Sequence, residues 1–548
     1  MATSAAPAIP GGPRSAVRRH GRWLDAAALL LCAVALGRGV WVTADLSWPS
    51  ETDQYRDMAI AETIVRGTPF ADPFFAGERF WYPPLFPWLV GAISVVTGVA
   101  TSVVDTHLGT WVNIFAPVAF YLLVRLWFGK RPALFSLAAY LFAVTGPFWL
   151  APSFSPWLLS GPSSHGLFFA SFALVTLALR HPSWGRWAGT GAMLGLTFLA
   201  HLAPAVLLVA ALLIAWAITL PRQLGWLPAA GRLAAAGATA IAVASPQLLS
   251  IVGHYHLVPK NWAPLVWSTP LLNAPFWELV LRNWLAWPLI AAAVLGLLLL
   301  AIRTRTGTDA PVLALSWIGV AAAIYLYEAH VVAQSQAGAE IRTLLLAPPH
   351  HFLFHLRAGL LVALGVGVDG LVTGCAALAG WWWPRGSARR EDVQQALTGA
   401  LVAGLLIVSV PSWWTRSEFT AMVQDGRQTF AEPEWRSLIS WMRTSVDRHA
   451  VFFAADSPAL SIVGATGHQL VSLDRFFSNP YVDPTARHVA RQQYWAALEA
   501  GDCSAARQLA IRYGATHVMH ARSVPIPKGT CGLETVFEIP DVRIDRIH

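Results

Sequence analysis

Six carboxylates lie between Ser50 and the second strongly apolar stretch of the chain: Glu51, Asp53, Asp57, Glu62, Asp72 and Glu78. The pattern from Thr52 to Val65 predicts a surface helix, on which Asp53 and Asp57 share one face because they are four residues apart. Like charges at this spacing oppose each other, so a partner or a function is expected. Two interpretations follow: a functional carboxylate of the kind used for proton transfer, or a solvated face in which Arg56 neutralises a neighbour.

The composition is typical of an integral membrane protein. Of 548 residues, 55% are hydrophobic and only 12% are charged, with a mean hydropathy of +0.50. Soluble domains carry about a quarter charged residues. The net charge of +8 and the pI near 9.6 are explained by basic cytoplasmic loops, so nucleic acid is not an expected partner.

The apolar runs predict a mostly α, polytopic membrane protein with about 11–13 transmembrane helices. A basic N-terminus, 1–22, is placed in the cytoplasm, and the first span runs from Leu24 to about Thr43. Further spans are predicted near 85–103, 109–128, 133–150, 166–179, 188–202, 204–220, 233–252, 285–302, 311–327, 352–373 and 396–411. The transmembrane domain is therefore assigned to 23–412, with interfacial helices in a first outward loop at 44–84.

The basic loops predict the topology and leave one conflict. Lys130/Arg131 and four later basic loops are separated by pairs of spans, so all of them can face the cytoplasm. An outward loop at 44–84 then requires an odd number of crossings before Lys130, yet two spans are predicted there. Either 85–103 is re-entrant or interfacial, or one side is misassigned. We expect the C-terminal domain to lie outside the cytoplasm.

A polar region, 413–548, follows the last span and is predicted to form a small α/β domain. Helices are expected near 434–448, 485–500 and 503–513, and strands near 450–455, 468–473 and 517–520. Cys503 and Cys531 both lie in this region. A disulfide between them and two unpaired thiols are equally compatible with the sequence.

The first loop ends in a segment whose two prolines fix an extended backbone, Trp81-Tyr82-Pro83-Pro84-Leu85. An acidic cluster, Tyr55, Gly67 and this Tyr-Pro-Pro-Leu run follow one another in the loop. The combination resembles the GT-C superfamily, membrane glycosyltransferases that use polyprenyl-phosphate sugars. It looks most like bacterial members related to protein mannosyltransferases and aminoarabinose transferases, with a faint likeness to arabinofuranosyltransferases. The resemblance covers the first 200 residues best and is specific to the superfamily, not to a substrate.

The resemblance implies an inverting transfer of a sugar from a polyprenyl-phosphate donor to an acceptor hydroxyl at the outer face of the cytoplasmic membrane. Such a hydroxyl needs a general base, for which the first loop offers Asp53 and Glu51. Asp53 is preferred because its short side chain on the helix face is easily held, while Glu51 matches the family's usual spacing. Arg56, Tyr82 and Asp72 are expected to bind substrate. Asp72, in an Asp-Pro pair, is equally well explained as a turn former.

The phosphate leaving group requires cations or hydrogen-bond donors. Outward or interfacial candidates are Arg56, His165, Arg282, Arg342, His350, His351 and Arg357. Arg342 is the preferred cation because it lies in a polar outward loop. Structural alternatives are a helix cap for His165 and membrane anchors for Arg282 and Arg357. His351 and His355 also have the spacing of metal ligands on a helix, although no acidic third ligand is near in sequence.

Two other function classes stay open at this point: a transporter or flippase of a lipid-linked saccharide, and a non-catalytic membrane scaffold. Transport would favour charged or broken central spans. The expected partners of the leading hypothesis are the lipid-linked sugar donor, membrane lipid, and a glycan, lipid or protein acceptor. No metal ligands are assigned and no cofactor is required, although a divalent cation is possible.

Overall fold

The computed structural model describes residues 21–146, 152–268, 274–282, 284–306, 309–338, 345, 347–382, 387–521 and 526–548. The chain begins with α1 (Arg22–Thr43), and the first loop then contains α2 (Thr52–Val65) and α3 (Leu85–Thr97). Two nearly continuous helices follow, α4 (Thr101–Asn113) and α5 (Phe115–Phe128). Next comes α6 (Lys130–Ala138), which continues as a π-helix, Ala139–Ala143.

The rest of the helical bundle is built from longer helices. They are α7 (Ser160–Arg180), α8 (Trp184–Ala200), α9 (Leu202–Leu224), α10 (Trp226–Leu248), α11 (Trp287–Arg303), α12 (Asp309–Gln336), α13 (His350–Trp382) and α14 (Ser387–Trp414). Two further π-helical segments are Leu249–His254, which extends α10, and Glu278–Arg282.

Eight helical segments of the described chain are long and apolar enough to cross a membrane. They are Arg22–Thr43, Thr101–Phe128, Ser160–Arg180, Leu202–Leu224, Trp226–His254, Asp309–Gln336, His350–Ala379 and Arg390–Trp414. Together with shorter apolar helices such as Trp287–Arg303, they confirm the predicted mostly α, polytopic membrane fold.

The predicted span near 85–103 is not one continuous helix. Its helix, α3, has 13 residues, which at 1.5 Å per residue extends about 20 Å, less than the roughly 30 Å of a bilayer's hydrocarbon core. It ends because Gly98 adopts a left-handed conformation with φ of 72°, and a new helix begins at Thr101. The apolar run therefore divides into a short apolar helix and the start of the next candidate span.

Close helix contacts fix the position of α13, whose first two turns carry three histidines. Gly296 on α11 lies directly against the backbone of Ala363 on α13, where an added Cβ would overlap the Ala363 carbonyl. Small residues of this kind let membrane helices pack backbone to backbone. Gly319 on α12, by contrast, is exposed and has open space around it.

The C-terminal region forms a five-stranded mixed sheet with helices on its faces, confirming the small α/β region. Its helices are α15 (Ala421–Ala431), α16 (Pro433–Ser445), α17 (Asp456–Pro458), α18 (Pro484–Ala500) and α19 (Cys503–Tyr513), with a π-helix at Ala459–Gly464. The strands are β1 (Val451–Ala454), β2 (Gln469–Leu470), β3 (His517–Ala521), β4 (Glu534–Glu538) and β5 (Val542–Arg546), in the order β2-β1-β3-β5-β4. β1 pairs parallel with β2 and β3, whereas β5 pairs antiparallel with β3 and β4.

A disulfide stabilises the C-terminal region, and a hydrophobic core joins that region to the first loop. Cys503 and Cys531 form a disulfide, with their Cα atoms 4.9 Å apart, which joins the start of α19 to the turn before β4. Trp48, Tyr55 and Met58 of the first loop share one hydrophobic core with the C-terminal sheet and its helices. The C-terminal region therefore covers α2, which is not a free surface helix.

A packing test follows from the glycine contact. Gly296→Val should lower Tm in detergent, because overpacking at a closely packed site costs about 1–3 kcal/mol. Gly319→Val makes the same substitution where space is open and serves as the matched control, with Tm near that of the native chain. Equal Tm values for the two variants would contradict the close packing of α11 on α13.

Candidate active site in the first loop

Arg56 is a buried cation held by two carboxylates and an aromatic ring. Its Nη1 lies 2.9 Å from Asp53 Oδ1, and its Nε lies 3.1 Å from Asp57 Oδ1. Its Cζ lies 3.6 Å from the centroid of the Tyr82 ring, the geometry of a cation–π contact. We call Asp53, Arg56, Asp57 and Tyr82 the first-loop ion cluster. Asp53 and Asp57, four residues apart on α2, therefore both form ion pairs with Arg56.

The two aspartates differ in access. The Asp53 side chain is 51% exposed, whereas that of Asp57 is 2% exposed. Asp57 also accepts a hydrogen bond from the Ser160 hydroxyl at 3.1 Å. Burial raises the pKa of Asp57 to about 6, and the charge of Arg56 opposes that shift. Asp57 is therefore an internal counterion, and Asp53 is the carboxylate that a bound molecule can reach.

Glu51 caps the helix that carries this cluster. It stands at the N-cap of α2, and its carboxylate accepts the backbone N–H of Thr52 at 3.0 Å. Burial, with the nearby charge of Asp53, raises the pKa of Glu51. The helix itself forms where the sequence predicts it, Thr52–Val65. Glu51 thus has a structural role, while its part in chemistry stays a prediction.

Five histidines gather beside the ion cluster: His165, His201, His350, His351 and His355, which we call the histidine cluster. Ring centroids lie 4.1 Å apart for His350–His351, 4.4 Å for His201–His351 and 5.0 Å for His165–His355. They come from three places in the chain: α7, the break between α8 and α9, and the first turns of α13. All five are buried or nearly so.

The start of α7 links the two clusters. Ser160 donates to Asp57, Gly161 faces the His351 ring, and His165 lies one turn further along the helix. Arg56 is near enough to His201 and His351 for its charge to act on both rings. Ion cluster and histidine cluster therefore line one buried polar region.

Several buried polar atoms in this region have no hydrogen-bond partner among the described residues. They are Arg56 Nη2, both ring nitrogens of His165, and Nδ1 of His351 and His355. Buried polar groups are normally satisfied, so each exception calls for an explanation. An unpartnered guanidinium nitrogen beside imidazole rings, each of which can turn an N–H toward it, suits an anionic oxygen.

Asp72 ties the first loop to the C-terminal domain. Its Oδ1 accepts the backbone N–H groups of Phe74 and Phe75, both at 2.8 Å, and its Oδ2 accepts Asn479 Nδ2 at 2.9 Å. The carboxylate is buried, and burial raises its pKa to about 6 although these donors oppose the shift. Asp72 therefore stabilises a turn and also joins the first loop to the C-terminal region. The predicted contact of Asp72 with substrate stays a prediction.

The remaining predicted residues are placed as follows. His165 is buried in the first turns of α7, and His350 packs on Trp267 with ring centroids 4.8 Å apart. Arg357 is buried in the bundle, where its Nε donates to the Leu279 carbonyl at 3.1 Å, so it is not a surface anchor. Arg342 and the side chain of Arg282 lie outside the described residues.

Sequence reasoning missed His201 and the pair of Gln54 and Asp105. Gln54 Nε2 donates to Asp105 Oδ2 at 2.8 Å, and both residues are buried. The signal for His201 was a lone polar residue between two apolar helices, just before Pro204. The signal for Asp105 was an acidic residue in an apolar stretch. Burying a carboxylate there is energetically unfavourable, so such residues are usually paired or functional.

The described residues form no metal site. Among the described residues, no group of three or more His, Cys, Asp or Glu is placed to hold a metal ion. The carboxylates of Asp53 and Asp57 converge, but the guanidinium of Arg56 lies between them, where a metal ion would otherwise bind. The ring contacts described above join the five histidines to one another and include no carboxylate.

Comparison with solved structures identifies proteins that share this fold. ArnT from Cupriavidus metallidurans, an aminoarabinose transferase crystallised with undecaprenyl phosphate, gives a TM-score of 0.55 at 15% identity over 94% of this chain and 97% of ArnT. The Archaeoglobus fulgidus oligosaccharyltransferase, tethered to an acceptor peptide, gives 0.51 at 14% identity over 90% and 69%. The mycobacterial arabinofuranosyltransferase AftD gives 0.51 at 14% identity over 96% and 40%.

These neighbours are members of the GT-C superfamily, so the fold expected from the first-loop motif is confirmed. No family model and no curated protein matches the chain. At 14–15% identity the likeness concerns the fold, and the chemistry has to be argued from the residues.

A double-mutant cycle tests the structural role of Asp72. Asp72→Ala and Asn479→Ala should each lower Tm in detergent, and the double variant should lose less than the sum, because both remove one shared hydrogen bond. Asp502→Ala, which removes the distant N-cap of α19, is the matched control and should add fully to Asp72→Ala. An unchanged Tm for Asp72→Ala would show that the carboxylate is free for a ligand.

Proposed function

We propose that the chain is a membrane glycosyltransferase that moves a sugar from a polyprenyl-phosphate donor to an acceptor hydroxyl. The observation that carries the proposal is the first-loop ion cluster. It offers a reachable carboxylate, Asp53, and a buried guanidinium, Arg56, with one unpartnered nitrogen. The cluster stands in a fold shared with ArnT, which binds undecaprenyl phosphate in its crystal structure.

Asp53 serves as the general base in this proposal. The acceptor hydroxyl gives its proton to the Asp53 carboxylate, and its oxygen forms a bond to the anomeric carbon of the sugar. The bond between that carbon and the phosphate oxygen breaks, and the lipid phosphate leaves with the electron pair. A single displacement of this kind inverts the anomeric configuration.

Arg56 and the histidine cluster stabilise the leaving phosphate. Arg56 Nη2 is buried and unpartnered, so it can donate to a phosphate oxygen without giving up its contact with Asp57. His165 and His351 carry unpartnered ring nitrogens in the same polar region. Tyr82 acts as a positioning residue, because its ring holds the guanidinium plane.

Donor binding and base activation are coupled through Arg56. In the free protein Arg56 Nη1 lies 2.9 Å from Asp53 Oδ1, so the guanidinium occupies the carboxylate oxygen that would accept the proton. A phosphate that engages the same guanidinium competes with Asp53. The donor therefore frees the carboxylate at the moment when a base is needed.

The chemistry is assigned to the outer face of the cytoplasmic membrane. The eight long spans, together with α6 and its π-helix, α8 and α11, make eleven crossings. Length does not separate α3, with 13 residues, from Lys130–Ala143, with 14. We take α3 as interfacial because all the basic loops can then face the cytoplasm. With the basic N-terminus in the cytoplasm, an odd number leaves the C-terminal region outside. The Cys503–Cys531 disulfide supports this side, since disulfides persist in oxidising compartments.

The acceptor and the sugar are not assigned. No step passes through a metal ion, because the residues of the site do not fit one. Transport of a lipid-linked saccharide and a scaffold role stay alternatives drawn from the sequence. Net movement of labelled lipid across proteoliposomes without sugar transfer would favour the first.

The base assignment is tested by two isosteric variants. Asp53→Asn should lower the turnover of a polyprenyl-phosphate sugar about 100-fold or more, because general-base catalysis supplies that order of rate. Glu51→Gln is the matched control, since its amide oxygen still accepts the Thr52 N–H, and it should keep nearly native turnover. Full activity of Asp53→Asn would refute the mechanism, and loss in Glu51→Gln alone would move the base to Glu51.

The sidedness is tested through the disulfide. In intact spheroplasts treated with a reductant, a membrane-impermeant maleimide should label Cys503 and Cys531. The double variant Cys503→Ser/Cys531→Ser corrects for labelling of the free Cys32 and Cys375. Labelling only after the membrane is permeabilised would place the C-terminal region in the cytoplasm.

A further inference from the structure

A second polar cavity lies at the other end of α2, away from the ion cluster. It has a volume of about 280 Å³ and lies between the end of α2, the turn joining α3 to α4, and the C-terminal region. Its charged lining consists of Glu62, Arg66, Arg443 and Arg448, with His468 beside them. Nine residues separate Asp53 from Glu62, which places the two about 14 Å apart along the helix.

The cavity holds an excess of positive charge. None of the three arginines forms an ion pair with a carboxylate of the described residues. Arg66 donates to the Arg448 carbonyl at 3.3 Å, and Arg443 reaches Ser102 Oγ at 3.5 Å. Glu62, the one carboxylate, accepts the Thr101 hydroxyl at 2.5 Å.

Partial burial of these arginines disfavours their charged form as long as no anion is bound. It lowers the pKa of Arg66 and of Arg443 from their usual range. The three guanidinium groups share one carboxylate, Glu62, and guanidinium groups in such excess are a usual means of binding phosphate.

The rim of the cavity is suited to a membrane surface. The turn that closes it, Gly98 to Thr101, joins the interfacial helix α3 to the first residue of a membrane span. Val95, Val96 and Val99 beside that turn are exposed, Val96 to 85%. An apolar rim under a cationic cavity matches the boundary between acyl chains and headgroups.

We propose that this arginine cavity binds the phosphate headgroup of an anionic membrane lipid, in the leaflet that faces the C-terminal region. Arg66 and Arg443 hold the phosphate, and the exposed valines contact the acyl chains. The site is separate from the ion cluster, and the proposal does not rest on sugar transfer.

The experiment compares the full chain in nanodiscs of phosphatidylcholine with nanodiscs that also contain phosphatidylglycerol. Phosphatidylglycerol should raise Tm, because a ligand bound only to the folded state stabilises it. Arg66→Gln/Arg443→Gln should lose most of that rise, with phosphatidylglycerol binding about tenfold weaker in native mass spectrometry, as expected for a lost charged hydrogen bond. Glu62→Gln, which keeps the Thr101 contact and removes the opposing charge, should bind phosphatidylglycerol more tightly.

Arg436→Gln is the matched control, because Arg436 lies on the same helix, α16, but is exposed. It should keep the full rise in Tm. Equal Tm values in the two lipid mixtures, or a full rise in the double variant, would overturn the proposal. Inorganic phosphate that reproduces the rise in phosphatidylcholine nanodiscs would overturn the assignment to a lipid. Retained binding in Asp53→Asn would separate this site from the proposed catalytic one.

Discussion

Arg56 brings a full positive charge into a site where its side chain is only 8% exposed. Moving an ion of this size out of water costs several kcal/mol unless partners compensate. Asp57, which accepts a hydrogen bond from Ser160, is the buried counterion of Arg56. The ring of Tyr82 packs on the guanidinium. Asp53 forms the second ion pair, on the side exposed to solvent. Asp53 and Asp57 lie on α2, Tyr82 lies in the Tyr-Pro-Pro-Leu run, and Ser160, which holds Asp57, lies at the start of α7, so these three segments must meet around this guanidinium.

That requirement explains features of the fold that would otherwise look unrelated. The interfacial helix α3 is short, and Gly98 ends it, so the chain re-enters the membrane next to α2. The C-terminal region shares a hydrophobic core with the first loop, and Asp72 with Asn479 adds a polar link. Burial of α2 from above makes the polar site partly enclosed, which strengthens electrostatic interactions inside it.

Local patterns in the sequence predicted the parts of the molecule that depend on local chemistry. Apolar length predicted the membrane fold, and charge spacing predicted α2 with its carboxylates. The hairpin β4–β5 was missed, although it turns at a Pro-Asp pair, because five of the ten residues in its two strands are charged. The hydrogen bond of Asp57 with Ser160 and the contact of His165 with His355 join residues 103 and 190 positions apart, and no periodicity in one sequence encodes such contacts. A buried glutamine pairing with Asp105 was invisible for the same reason.

The central claim is that a lipid phosphate competes with Asp53 for Arg56. Its most direct test is the affinity of the purified protein for polyprenyl phosphate without a sugar, measured for the native chain, Arg56→Gln and Asp53→Asn. The account predicts that Arg56→Gln binds about tenfold more weakly or worse, while Asp53→Asn binds more tightly than the native chain because the guanidinium is released. Native affinity in Arg56→Gln, or weaker binding in Asp53→Asn, would contradict it.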